Sequence, residues 1–322
     1  MSSKRSSKLR LGMIGTGVAA HKLYLPAFNR LGHKLEVVAC TNRTRKKAEQ
    51  YARLANIPRV LDSAEELILS PDVEAVLISL PIEAQPDVVK RALAAGKAVL
   101  SEKPMAPSVA EGKKLVKAAA RYEAPWLVGE NFAFMPAIEK MRAWLEQGKI
   151  GAPRLVEIMQ LTFMDAKNPY FHTSWRHQPK HVGGFVADGG VHMAHALRRV
   201  MGTPALIKNL TANFDPALAP IDTAVALLRF PSGALGTWTS CFSAHYHGPM
   251  LRVYGSKATA ELGWSHAVLR TPAGKETRFE TKVDSFEAQF SHFCDVVKKG
   301  VPVAYTPAAA LEDLTLIEAI VR

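Results

Sequence analysis

The chain has 322 residues, 48% of them apolar and 22% charged. Those values describe a globular protein of about two domains and exclude disordered, collagenous and coiled-coil classes. No apolar run approaches the roughly 20 residues that span a bilayer, so a membrane role is not expected. The net charge is +12, but only four of the 41 positive charges fall in the first ten residues and the others are dispersed. The longest basic run beyond the N-terminus is Arg43-Thr44-Arg45-Lys46-Lys47. Without a patch or a recognisable module, nucleic-acid binding is not expected, and the run reads as a solvated helix face or a phosphate-binding corner. Three scattered cysteines, Cys40, Cys241 and Cys294, suit neither a disulfide framework nor a cysteine zinc site, and a cytoplasmic setting is expected.

Residues 1–8 are basic and polar with no apolar stretch behind them, and read as a disordered arm rather than a signal peptide. Strand and helix patterns then alternate. Leu9–Ile14 reads as a strand, followed by a helix from about Val18 that Pro26 shortens or bends. Leu35–Cys40, Val73–Leu80, Ala98–Leu100 and Trp126–Val128 read as further strands. Helices fall between them, two opened by capping boxes at Ser63–Glu66 and Ser108–Glu111. This order predicts a doubly wound parallel sheet over residues 9–130. Residues 131–322 read differently: a helix at Met135–Gln147, a half-buried strand at Leu155–Phe163, and a loop rich in His and aromatics to Val182. A helix follows at Gly190–Val200, then several strands to Thr281 and two final helices. This half is expected to be an α+β domain with a large, mostly antiparallel sheet that binds substrate and mediates oligomerisation.

Gly15-Thr16-Gly17-Val18-Ala19-Ala20 directly follows the first strand and fits G-x-G-x-x-G/A. The first glycine permits the tight turn, the second lets a pyrophosphate approach the backbone, and Ala20 keeps helix and strand close. The anion would rest on the helix N-terminus. The strand–turn–helix context raises the motif above a chance match. NAD sites place an acid after the second strand, about 20 residues on, to hold the ribose 2′-hydroxyl. Here the corner reads Thr41-Asn42-Arg43-Thr44-Arg45-Lys46, with no acid. Arg43, with Lys46 or Arg45, suits a 2′-phosphate, so NADP(H) is expected over NAD(H), which stays possible.

Glu102-Lys103-Pro104 closes a strand of the parallel sheet, at the strand ends where such sheets bind ligands. A lysine there binds an anion or serves in acid–base chemistry. Later comes Gly183-Gly184-Phe185-Val186-Ala187-Asp188-Gly189-Gly190-Val191-His192. The ordered set resembles the glucose-fructose oxidoreductase / inositol dehydrogenase / rhizopine-catabolism (GFO/IDH/MocA) family. Val73–Pro81, Ala94–Val99, Phe230–Ala234 and Val253–Lys257 extend the resemblance over nearly the whole chain.

The resemblance implies hydride transfer between nicotinamide and a sugar, cyclitol or related polyol or keto-sugar, in a homodimer or homotetramer. It implies that Lys103 contacts the reacting oxygen and that Asp188 and His192 line the substrate. His192 carries an imidazole, the side chain that most readily takes and gives a proton near neutral pH, and suits proton transfer. Lys103 would stabilise developing negative charge, and Asp188 would orient a hydroxyl or the histidine. Asp188 and His192 share a face if the helix has begun by then. Gly15, Thr16, Gly17, Val18, Ala19, Asn42, Arg43, Lys46, Ser79, Leu80, Glu102, Lys103, Asn131, Trp175 and Arg176 form the expected cofactor-binding set. The family pattern is broken at His195, where an Asp is usual, and at Gln85, where a His is usual.

The eleven histidines include His192-x-x-His195 and His245-x-His247, but no Glu or Cys joins them at ligand spacing, so no metal is expected. Two other functions stay open: a redox-assisted glycosidase or epimerase that retains NAD, and a non-catalytic nucleotide-dependent regulator.

Overall fold

The computed structural model describes residues 8–322, so all but Lys8 of the expected N-terminal arm lies outside the described residues. The chain forms two compact units. The first contains the residues up to Asn131 together with Asp284–Leu311. Its strands are β1 (Leu9–Ile14), β2 (Leu35–Thr41), β3 (Ala75–Ile78), β4 (Ala98–Glu102) and β5 (Trp126–Gly129). They pair in parallel in the order β2-β1-β3-β4-β5. All four residues of β3 are buried, and because successive side chains point to opposite faces, the sheet is covered on both sides.

Among the described residues, the α-helices of this unit's first stretch are α1 (Leu25–Arg30), α2 (Arg45–Ala55), α3 (Ala64–Leu69), α4 (Gln85–Ala94) and α5 (Val109–Ala119). The Ser63 and Ser108 hydroxyls cap α3 and α5 by accepting from the N–H of Glu66 and Glu111. The reciprocal bond of the first box is shifted by one residue: the Glu66 carboxylate accepts from the N–H of Asp62 at 2.9 Å. The bend expected at Pro26 is a π-helical turn, Ala20–Tyr24, in which Leu25 N–H donates to Ala20 O. Proline has no N–H and its ring crowds the carbonyl four residues back, so the chain widens ahead of it. The extra residue in the turn carries Tyr24 into the core.

The second unit comprises Phe132–Val283 and Glu312–Arg322. It holds α6 (Pro136–Glu146), β6 (Pro153–Leu161), α7 (Ser174–His177), α8 (Gly184–Met201) and strands β7 (Ala205–Ala212), β8 (Thr223–Arg229), β9 (Leu235–Cys241), β10 (Leu251–Gly255), β11 (Thr259–Leu262), β12 (His266–Arg270) and β13 (Glu276–Glu280). The eight strands form one sheet in the order β13-β12-β11-β10-β6-β9-β8-β7, antiparallel except for β6 beside β9. Along β8 buried and exposed residues alternate, as in a sheet covered on one face.

Helix α8 starts six residues before the Gly190 expected from the sequence. Its opening glycines hid the start, because glycine is a poor helix former. They are there for space. A Cβ on Gly190 would lie 2.4 Å from Ile317 Cδ1, and one on Gly183 2.6 Å from Val321 Cγ2.

The last two helices are α9 (Ser285–Lys299) and α10 (Pro307–Val321). Helix α9 returns to the first unit, whereas the sequence reading gave all of residues 131–322 to the second. Phe290 packs on Phe28 and edge-on against Tyr24. Lys34 pairs with Asp295 at 3.1 Å, and Lys298 with Glu74 at 2.8 Å. No described helix is long and apolar enough to cross a membrane.

Candidate active site

In the first unit the glycine turn sits between two strand ends. Gly15 N–H donates to Thr41 O at 2.9 Å, and Ser79 N–H donates to Ile14 O at 2.8 Å. Gly15 has φ 96°, and a Cβ there would meet Ser79 O at 2.1 Å, so the end of β3 and the left-handed backbone both demand glycine. At Gly17 no heavy atom lies within 4 Å of the Cβ position. The first glycine therefore serves the fold, and the second leaves bare backbone at the start of a helix. That arrangement fits a dinucleotide pyrophosphate.

The corner after β2 divides its labour. Asn42 donates from Nδ2 to the buried Thr16 hydroxyl at 3.0 Å and accepts from Thr44 N–H at 3.0 Å. It holds the turn in place. Arg45 is engaged by Glu49 and Asp62 and so is not the spare cation the sequence allowed. Arg43 and Lys46 are exposed, and neither has an ion-pair partner among the described residues. Val18 and Ala19 lead into the helix beside them. Burial pushes the Cys40 thiol up to about 11, which makes it an inert core group.

At the end of β4, Glu102 accepts from the Tyr24 hydroxyl through Oε1, and its Oε2 lies 3.2 Å from Lys103 N. The carboxylate is thus fixed beside the lysine backbone. Leu80 extends the neighbouring strand end against Gly15. Gln85 is fully buried: its Nε2 donates to Pro104 O at 3.3 Å, and its Oε1 has no hydrogen-bond partner among the described residues. Asn131 donates to the Ser285 hydroxyl at 2.8 Å. Sequence reasoning singled out Asn131 but missed Tyr24 and Ser285, because both act across long separations in sequence that no local pattern records.

In the second unit Asp188 and His192 lie one turn apart on α8, which has begun by then. Asp188 Oδ2 accepts from Arg176 Nε at 2.8 Å. The Arg176 guanidinium also lies 4.0 Å from the Trp175 ring centroid and 4.9 Å from that of Tyr170. Trp175-Arg176 is therefore built onto Asp188, a link the sequence did not reveal. The His192 ring stacks on Phe132 at 4.8 Å, and Trp264 meets Phe132 edge-on. His195, a departure from the family pattern, is buried, with Nδ1 3.3 Å from Asp313. It belongs to a helix–helix polar contact that Arg198 shares. Among the described residues no three His, Cys, Asp or Glu side chains gather as a metal site.

Residues 9–130 match the model of an oxidoreductase family with an NAD-binding Rossmann fold, and residues 138–261 match the GFO/IDH/MocA C-terminal domain. The chain belongs to the GFO/IDH/MocA family and is an oxidoreductase with a nicotinamide-dinucleotide-binding fold. It is 30% identical to an uncharacterised protein of Saccharomyces cerevisiae over 98% of this chain and 96% of that one. It is 31% identical to the trans-1,2-dihydrobenzene-1,2-diol dehydrogenase of Mus musculus over 79% of this chain and 74% of that one. A solved oxidoreductase from Thermotoga maritima superposes with a TM-score of 0.93 at 37% identity, covering 98% of this chain and 96% of that one.

Proposed function

We propose that the protein is an NADP(H)-dependent dehydrogenase or reductase acting on a sugar, cyclitol or related polyol or keto-sugar. The cofactor reading is carried by one observation. The acid-free corner after β2 presents Arg43 and Lys46 exposed and without ion-pair partners among the described residues, beside a glycine turn that Asn42 locks. A 2′-phosphate would meet positive charge there, whereas a bare ribose would find no acid to hold its hydroxyls.

The bound nicotinamide supplies the hydride acceptor or donor. The chain supplies the remaining chemistry. Lys103, at the end of β4, holds the reacting oxygen and stabilises negative charge on it. His192 takes the proton as an alcohol is oxidised and returns it in reduction. Asp188, anchored by Arg176, orients a substrate hydroxyl. Ser79, Leu80, Glu102 and Asn131 shape the floor under the cofactor. The vicinal diol in the name of the mouse relative's substrate supports a polyol-like substrate class.

We further read the uncovered sheet face, where Leu155, Ile207, Leu227 and Leu235 stand exposed on adjoining strands, as the surface of a homodimer or homotetramer. Three buried, unbridged cysteines support a cytoplasmic setting.

The test is to denature the purified protein, identify any nucleotide released, and titrate the apoprotein with NADPH and NADH. Little retained nucleotide and tighter NADPH binding are expected. Near-stoichiometric NAD would overturn the cofactor assignment and favour a redox-assisted glycosidase or epimerase.

A further inference from the structure

The parallel pairing of β6 with β9 sets Gln160 directly beside Ser240, and Ile158 beside Trp238. A polar relay runs between them within the second unit. Trp238 Nε1 donates to Ser240 Oγ at 2.8 Å, and Ser240 Oγ donates to Gln160 Oε1 at 3.1 Å. Trp238 and Ser240 are fully buried. The direction of the relay follows from donor and acceptor counts. Indole only donates, so Ser240 accepts from it and keeps its own proton for Gln160. Reversing the carboxamide would leave that buried hydroxyl proton without an acceptor.

The relay fixes which end of the Gln160 carboxamide is left outside it. It is the NH2 end, and that donor has no hydrogen-bond partner among the described residues. Its position is specific. A Cβ on Gly189 would lie 3.0 Å from Gln160 Nε2 and 2.8 Å from Phe242 Cζ. Gly189 immediately follows Asp188 and precedes His192 by three residues on α8. Glycine at this position keeps room for the carboxamide next to the two residues assigned to the substrate.

We propose that Gln160 is a substrate-specificity residue whose NH2 group donates a hydrogen bond to a hydroxyl or carbonyl oxygen of the substrate. Trp238 and Ser240 are its positioning residues. The assignment rests on the carbohydrate reading of the site. A donor locked by a buried relay loses little freedom on binding, so it discriminates well between a ligand oxygen and an apolar group.

The experiment uses the full chain labelled with 15N and saturated with NADP+. The Gln160 side-chain amide peak is assigned by its absence in Gln160→Glu. D-glucose, myo-inositol and trans-1,2-cyclohexanediol are the probes, and turnover of each is measured in parallel. The peak is expected to move with a probe that is turned over. Gln160→Glu, which replaces the donor by an acceptor, is expected to raise that probe's KM about tenfold with NADPH affinity unchanged. Ser240→Ala is expected to raise the KM less, because it frees the carboxamide without removing it. A peak that stays still while a probe is turned over, or an unchanged KM in Gln160→Glu, overturns the Gln160 assignment alone. If no probe binds or reacts although NADPH binds, the carbohydrate reading falls and takes the Gln160 assignment with it.

Discussion

Arg176 and Asp188 form a charge-assisted hydrogen bond of 2.8 Å, with side chains only 13% and 12% exposed. The carboxylate singled out for the substrate therefore has a fixed direction before any ligand arrives, and the arginine is itself clamped on Trp175. Arg176→Ala removes the clamp and takes the charged partner from a largely buried carboxylate. It is expected to lower stability by about 2 kcal/mol and kcat/KM by about thirtyfold. Thermal unfolding and steady-state kinetics on the same preparation check both. Unchanged kinetics at reduced stability would show that the pair serves only the fold.

The corner after β2 makes a charge-reversal prediction. Arg43→Asp supplies the acid that NAD sites place there and repels a 2′-phosphate. NADPH affinity is expected to fall by about one to two orders of magnitude, with NADH affinity equal or improved. Fluorescence titration of both reduced cofactors reads the switch. Equal loss for both would mean that Arg43 stacks on the adenine and does not read the phosphate.

Tyr24→Phe keeps the ring among Phe28, Phe286 and Phe290 but deletes the hydroxyl that Glu102 accepts. The expected cost is about 1–3 kcal/mol. Because Glu102 also engages the Lys103 backbone, kcat is expected to fall while NADPH affinity holds. A pre-steady-state measurement of hydride transfer, with the Tm alongside, separates this positioning effect from a general loss of stability.

Asp222 predicts an acid limb in the stability curve. Burial pushes its carboxyl up, but bonds from the Asp215 N–H, the Ser243 hydroxyl, the Phe214 N–H and the Thr223 hydroxyl outweigh burial and hold it below the usual carboxylate range. A carboxyl depressed in the folded state contributes stability above its unfolded value, about 3.9, and loses that contribution as pH falls through the folded value. Asp222→Asn is expected to be less stable at neutral pH and to show a flatter Tm between pH 6 and pH 2. Scanning calorimetry across that range decides it. A mutant curve parallel to the wild type would assign the acid limb to other groups.

The exposed aliphatic face of the large sheet predicts a concentration-dependent mass. Light scattering is expected to show a dimer or tetramer, and a double Leu227→Asp, Leu235→Asp variant a monomer. A wild-type monomer at micromolar concentration would end the oligomer reading.

Much of this was legible in the sequence. The glycine turn, the capping serines and the apolar strands are local signals, and the parallel sheet followed from their alternation. Lys103, Asp188 and His192 could be singled out because ordered motifs carry them. Three things were not legible, each for a physical reason. The start of α8 was masked by glycines chosen for close helix packing, not for helix propensity. Arg176 and Tyr24 find their partners 12 and 78 residues away, and such pairings exist only after folding. Gln160 lies in an ordinary strand and gains its meaning from the register of β6 against β9, which nothing in the strand itself dictates.

The return of α9 to the first unit has a consequence for biosynthesis. Ser285, Phe290, Asp295 and Lys298 complete a body whose first stretch, up to Asn131, leaves the ribosome more than 150 codons earlier. Domains ordinarily fold as they emerge, N-terminal first. Here the nucleotide-binding body must wait, its aromatic seam at Tyr24 and Phe28 open, until nearly the whole chain has been synthesised. A truncation at residue 130 would leave that seam permanently open, so a separately expressed N-terminal half would be a client for chaperones and not a working nucleotide-binding module.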